Sequence, residues 1–306
     1  MRARENALAF IANSYSKRRL QMSKFFCDTN SEVWYTKAEA LGINVIKMPY
    51  TLGNDMYFYD LGKETDCKAF FDAMRNGESA KTQALNMDEY LEYFEPVFAS
   101  GEDIIYVSFS HAMSGTFNSM RLAIDALAEK YPERKITVID TGSISCGTGR
   151  MVEEAAKLHN SGASDEEVVK FVEEFKKKVK IYFTVNDLKY LVRGGRLSAV
   201  AGALGTLLNL KPILGVDESG KLASLAKING RKKSMHTLVE KLATDGLDTS
   251  YPIILMQADS EADAKLIESS IMQKYPDAKV EIQMIGPVVG AHCGPDTLGI
   301  IFVCKE

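Results

Sequence analysis

Apolar runs carry the strand signal in the first half of the chain, at residues 7–12, 43–48, 103–109 and 135–140. They are near-continuous rather than alternating, the pattern of strands covered on both faces in a parallel sheet. Between the last two, Phe117, Met120, Ile124 and Leu127 recur at i, i+3, i+7 and i+10. That spacing is one stripe of a helix, predicted from about Thr116 to Lys130. Strand, helix and strand at this length make a βαβ crossover. The stretch 50–87 has no clear period and is expected to form a small excursion or lid.

A boundary is expected near residues 160–163, dividing the chain into 1–162 and 163–306. Ser164 and Glu167 then stand at capping-box spacing, with acids in the first turn. Val168, Phe171 and Phe175 carry that helix to Lys178. Beyond it we expect a strand at 181–185, a short helix from Asn186, and a turn at Arg193-Gly194-Gly195-Arg196. An apolar helix at 198–208 follows, then a hairpin of 214–216 with 222–228. Helices at 231–244 and 260–274 and strands at 252–258, 279–285 and 299–304 complete the order.

At 306 residues the chain has room for about two domains. Hydrophobic residues make up 46% and charged residues 25%, as in a folded globular protein rather than a disordered one. Lys plus Arg is 37 against 41 for Asp plus Glu, a net charge of −4 that disfavours nucleic-acid binding. The five cysteines are scattered, with no C-x-x-C, which fits a reducing cytoplasm rather than a disulfide framework or structural zinc. The apolar stretch at 7–12 is too short for a secretory signal, and no run approaches a membrane span. A cytoplasmic location is expected.

Four segments are candidates for chemistry. Ser114-Gly115-Thr116 opens the 116–130 helix: its hydroxyls and free amides form an anion site or simply cap the helix. The Gly142–Gly149 segment follows the next strand as a nucleotide-like loop or a tight strand-to-helix turn, without a phosphate-loop pattern. Arg193-Gly194-Gly195-Arg196 and Gly230-Arg231-Lys232-Lys233 offer guanidiniums to carboxylate or phosphate, or are solvated charge. His292, in Gly290-Ala291-His292-Cys293-Gly294-Pro295, is an anion donor, an acid/base, or a turn-tying side chain. No metal-spaced cluster accompanies it, and His111, His159 and His236 have no comparable setting. The small-residue helix at 199–205 lines a cavity or packs closely.

Together these segments resemble the DegV family, fatty-acid-binding proteins that serve as the acyl-carrying component of bacterial fatty acid kinase. The specific blocks are Asn186-Asp187-Leu188-Lys189-Tyr190-Leu191-Val192-Arg193-Gly194-Gly195-Arg196 and Leu207-Leu208-Asn209-Leu210-Lys211-Pro212. Met113-Ser114-Gly115-Thr116, Asn229-Gly230-Arg231-Lys232-Lys233 and the His292 turn are collinear with them. The resemblance implies an α/β fold in two domains: an N-terminal parallel-sheet domain, a C-terminal α/β domain, and a long-chain fatty acid buried between them. It implies a carboxylate held by Thr82, Ser114 and Gly115, with His292 close by, and Arg193, Arg196 and Arg231 facing a kinase partner or phosphate. It implies no cofactor, no metal and no turnover by this chain alone, with transient contact at a membrane surface. Two departures stand out: Asn13-Ser14 where the family's first strand ends in Asp-Ser, and Lys81-Thr82-Gln83-Ala84 where the family has T-S-Q-P.

Two rival readings remain. One is an acyl hydrolase with Ser114 as nucleophile and His292 as base, although Ser114 is not in G-x-S-x-G and no acidic third member is picked out. The other is a lipid-sensing regulatory module without a kinase.

Overall fold

The computed structural model describes residues 22–196 and 210–305. The strand expected at 7–12, the Asn13-Ser14 pair and the helix expected at 198–208 lie outside the described residues.

The chain opens with β1 (Lys24–Asp28), α1 (Tyr35–Ala40) and β2 (Asn44–Ile46). β1 is absent from the expectations above, because Phe25-Phe26-Cys27 is too short to display a period. An antiparallel excursion follows: β3 (Pro49–Leu52), β4 (Asp55–Phe58), α2 (Cys67–Arg75) and β5 (Ala80–Thr82), with sheet order β4-β3-β5. This is the irregular segment of the sequence. Its strands are only three or four residues long, below what alternation can reveal.

Next come α3 (Met87–Ala99), β6 (Ile104–Ser108), α4 (Thr116–Lys130), β7 (Ile136–Asp140) and α5 (Ser145–Asn160). The first sheet has the order β2-β1-β6-β7 with every pair parallel. Helix α4 occupies its predicted span, burying Phe117, Met120 and Leu127, with Ile124 packed at the edge of the core.

Helix α6 (Asp165–Phe175) starts on a complete capping box: Glu167 N donates to Ser164 Oγ at 3.2 Å, and Ser164 N donates to Glu167 Oε2 at 2.8 Å. The remaining elements are β8 (Val179–Thr184), α7 (Lys189–Arg193), β9 (Ile213–Val216), β10 (Leu222–Ala226), α8 (Arg231–Thr244), β11 (Ile253–Gln257), α9 (Glu261–Lys274), β12 (Val280–Met284), α10 (Pro287–Cys293) and β13 (Leu298–Val303). They build a mixed sheet of order β10-β9-β8-β13-β11-β12, in which β9 and β10 form the expected hairpin.

Both faces of this sheet are covered, and the strand period shows how. Ile254 and Met256 of β11 and Ile301 and Val303 of β13 point into the core shared with the first half of the chain. Their neighbours Ile253, Leu255, Ile300 and Phe302 point the other way, into a second core under α8 and α9. An apolar run with no polar partner positions is the direct consequence.

The segment around His292 is read from sequence as a Gly/Pro-rich turn, but it is helix α10. Pro287 stands in its first turn, where a missing N–H costs nothing, and Gly294 ends it at φ 78°. Gly290 lies inside it because α2 presses close: a Cβ there would meet the Phe71 ring at 2.7 Å. Glycine costs helix propensity by about 1 kcal/mol relative to alanine, a penalty accepted here for contact.

Candidate functional site

A cavity opens between the carboxyl ends of the first sheet and the inner face of the second. Open α/β sheets bind ligands at such strand ends. It holds about 840 Å³ of atom-free space, mouth included, within the roughly 300–1,000 Å³ of small-molecule sites. Phe109 follows β6, and Ile144 follows β7. Facing them are Phe183 of β8, Leu222 of β10, Met256 of β11 and Val288 of α10. The wall is therefore apolar over most of its extent. The Gly142–Gly149 segment serves here as a tight strand-to-helix turn into α5, and places Ile144 and Ser145 on the cavity wall.

Polar groups gather at one part of this wall. Thr82, at the end of β5, places Oγ1 2.8 Å from Nε2 of His292 on α10. Residues 210 apart in sequence thus form one hydrogen-bonded pair. Ser114 lines the same cavity. Its Oγ accepts from Thr116 N at 3.2 Å, so the capping role is real, and its O–H remains able to donate to a ligand. Gly115 caps α4 through its backbone, its carbonyl accepting from Asn118 N at 3.0 Å, and does not itself line the cavity. Thr116 does, but its hydroxyl is engaged by Leu85 N and Tyr90 Oη.

His292 is held neutral. Burial, and then the charges of Arg196 and Arg193, lower its pKa to about 4. Its Nδ1 is buried with no hydrogen-bond partner among the described residues. Gly194 lies against that atom: a Cβ on Gly194 would sit 2.3 Å from Nδ1. The first glycine of the diglycine turn is thus a packing requirement for the imidazole. The second, Gly195, has φ 71° and closes the turn.

Arg196 lines the cavity beside His292. Nε and Nη2 donate to the Met113 carbonyl at 3.3 and 3.2 Å, and Nη1 donates to the Gly194 carbonyl at 2.6 Å. It thereby ties the Ser114 turn to the diglycine turn, and no carboxylate pairs with it among the described residues. Arg193 is exposed, its guanidinium 5.3 Å from the Tyr190 ring centroid and 3.4 Å from the Ala80 carbonyl. Arg231 is elsewhere. At the start of α8 it binds Asp263 and Ser260, and it contributes nothing to the cavity wall.

Sequence reasoning misses a buried acidic support beneath this site. Glu32, at φ 55°, accepts from Gly286 N at 3.0 Å and from Tyr59 Oη at 3.0 Å. Gly286 is the N-cap of α10, so this carboxyl anchors the helix that carries His292. Burial raises Glu32 to about 8. Asp28, also fully buried and raised, accepts from Tyr106 Oη and from both nitrogens of Asn30, a cavity-lining residue. The available signal was a pair of acids flanking Thr29-Asn30-Ser31 directly after an apolar run.

The hydrolase geometry is missing. His292 bonds Thr82 rather than Ser114, its pKa is too low for a base at neutral pH, and no acid orients it among the described residues. His111, set aside above, does meet Ser108 at 2.8 Å and Asp140 at 3.8 Å. Ser108 is fully buried and donates to the Ile139 carbonyl, and His111 stacks on Phe117 at 3.8 Å; this is a packed strand-end motif.

The DegV family model, described as an uncharacterised protein of that family, matches residues 24–305. A DegV domain-containing protein of Clostridium perfringens is 36% identical over 285 residues, covering 92% of this chain and 98% of that protein. One from Lactococcus lactis is 32% identical over 265 residues, covering 86% and 91%. Among solved structures, Bacillus subtilis DegV, described as a fatty acid binding protein, superposes with TM-score 0.80 at 28% identity, covering 93% of this chain and all of that one. The Fatty Acid Kinase (Fak) B3 protein of Streptococcus pneumoniae, loaded with linoleic acid, superposes with TM-score 0.78 at 25% identity, covering 93% and 100%. The family match begins at β1. The strand end compared above with Asp-Ser is therefore Asp28-Thr29, not Asn13-Ser14, and the acid is present.

Proposed function

Because this chain belongs to the DegV family, we propose that it binds a long-chain fatty acid in the cavity and presents the carboxylate to a kinase partner. The observation that carries this is an apolar cavity whose polar groups converge at Thr82, Ser114 and His292. Structural relatives described as fatty acid binding, and one described as loaded with linoleic acid, support the ligand class. Burying methylenes contributes about 0.8 kcal/mol each, so a sixteen-carbon chain gains roughly 10 kcal/mol before losses. An unpaired carboxylate would cost several kcal/mol and offset much of that. The donor set therefore decides affinity. With Nε2–H of His292 donating to Thr82 Oγ1, the threonine hydroxyl donates its proton to the carboxylate alongside Ser114.

The kinase half of the proposal rests on the likeness to the Fak B3 protein. A partner would bring ATP: a carboxylate oxygen forms a new bond to the γ-phosphorus as the β,γ bond breaks and ADP leaves, giving an acyl phosphate. This chain would bind and orient, with no turnover of its own, acquiring lipid at a membrane surface without spanning it. No described helix is long and apolar enough to cross a membrane. In this reading the halves 1–162 and 163–306 close on the ligand from either side. The test is native purification, organic extraction and mass spectrometry. A long-chain fatty acid in near-stoichiometric amount is expected, and protein that neither carries nor takes up any fatty acid refutes the proposal.

A further inference from the structure

A second, smaller cleft abuts the polar wall of the cavity. It is lined by Lys81, Thr82, Arg193, Arg196 and His292, sharing the last two and Thr82 with the cavity, and holds about 500 Å³ of atom-free space, mouth included. Three of its residues are cations, and none of them has a carboxylate within ion-pair distance among the described residues. In a chain of net charge −4 this is an uncompensated local excess. Arg196 is half-buried with only backbone carbonyls as partners, and a desolvated guanidinium of this kind is stabilised by an anion. The field is also felt by His292, which Arg196 and Arg193 both push toward the neutral form. One fatty carboxylate supplies a single negative charge, too little to balance the cluster. A phosphoryl group supplies about −1.5 to −2 and three acceptor oxygens.

We propose that this cleft, built by Lys81, Arg193 and Arg196 beside the Thr82–His292 pair, is a subsite that holds the phosphoryl group of an acyl phosphate on this chain. The inference rests on the fatty-acid reading above and adds the product's second charge to it. Lys81 is the residue that departs from the family's T-S-Q-P, so this chain brings a cation where that pattern has a hydroxyl. Arg193 and Lys81 line the cleft and not the main cavity. Removing either should therefore separate phosphoryl from carboxylate recognition.

The probe is hexadecyl phosphate, a stable stand-in for the labile acyl phosphate, compared with palmitate and inorganic phosphate by calorimetry on the delipidated full chain. We expect hexadecyl phosphate to bind at least tenfold tighter than palmitate at pH 8 and low salt. Arg193→Ala and Lys81→Ala should each erase most of that preference, leaving palmitate affinity within threefold, and Arg193→Lys should restore part of it. The threefold limit on palmitate doubles as a check that the variants fold. If palmitate binds and hexadecyl phosphate binds no better, the subsite is refuted and the fatty-acid reading stands. If neither lipid binds, both fall. Inorganic phosphate binding as tightly as the alkyl phosphate would assign the cleft to free phosphate and overturn the proposal.

Discussion

The contact between Gly194 and His292 offers the sharpest test of how the clamp is built. In Gly194→Ala the new methyl would lie 2.3 Å from Nδ1 and 3.2 Å from Cε1 of the imidazole. Both are well inside van der Waals contact, so the ring or the turn has to move. Overpacking of this kind typically costs about 1–3 kcal/mol. If the ring yields, the 2.8 Å bond between Nε2 and Thr82 Oγ1 is lost with it, and the hydroxyl no longer points its proton at a carboxylate. Hydrogen bonds to charged groups are worth about 1.5–3 kcal/mol, roughly a 10- to 150-fold loss of fatty-acid affinity. The assay is titration of delipidated protein with palmitate, with circular dichroism confirming the fold. Gly195→Ala is the control: it carries positive φ but has no atom within 4 Å of a Cβ, so its cost is backbone strain without displacement of His292. Wild-type palmitate affinity in Gly194→Ala would refute the claim that this glycine sets the imidazole.

Three further outcomes follow from the same geometry. Thr82→Val should keep the fold and weaken palmitate binding by about tenfold, since it deletes one hydroxyl donor to a charged group; unchanged binding would remove Thr82 from the clamp. Arg75 joins α2 to Asp259 and to Asp296, the latter at 2.7 Å, and so latches the excursion that carries Thr82. These pairs are partly exposed, so Arg75→Ala should cost no more than about 1 kcal/mol in stability, yet speed palmitate release several-fold in stopped-flow displacement; an unchanged release rate would show that the latch does not gate the cavity. His292, depressed to about 4, stays unprotonated in the fold while the unfolded chain takes up a proton near pH 6.5. Its contribution is therefore full above about 6.5 and is lost as pH falls toward 4. Glu32 acts oppositely: raised to about 8, it keeps a proton that the unfolded chain releases, so its contribution is lost as pH rises from about 4.5 to 8. Urea unfolding across pH 4–9 should show both slopes, with Glu32→Gln removing the alkaline one and His292→Asn the acidic one.

Local signals sufficed where an element is long or its ends are chemically marked. Helix α4 has four apolar residues on one stripe, and α6 has its capping box within four consecutive residues, so both were legible without any partner. The doubly covered strands β6, β7, β8, β11 and β13 announced themselves as unbroken apolar runs. The missed elements share a different property. β1 and β5 are too short to show a period, and α10 contains a glycine whose reason, the Phe71 ring, lies more than two hundred residues away.

The candidate site divides along the same line. Ser114, Arg193, Arg196 and His292 stood out because their residue types sit in turn-like contexts, and the family blocks around them are specific. Which of them meet was invisible: the Thr82–His292 bond, the approach of Gly194 to the imidazole and the Glu32 anchor under α10 each join segments from opposite halves of the chain. Arg231, alike in type and context to Arg196, is spent on Asp263 instead. Composition, periodicity and capping are properties of neighbouring residues, and the chain alone determined them. Burial, charge balance and hydrogen-bond partnership are properties of the folded packing, and those decided where a carboxylate can be held.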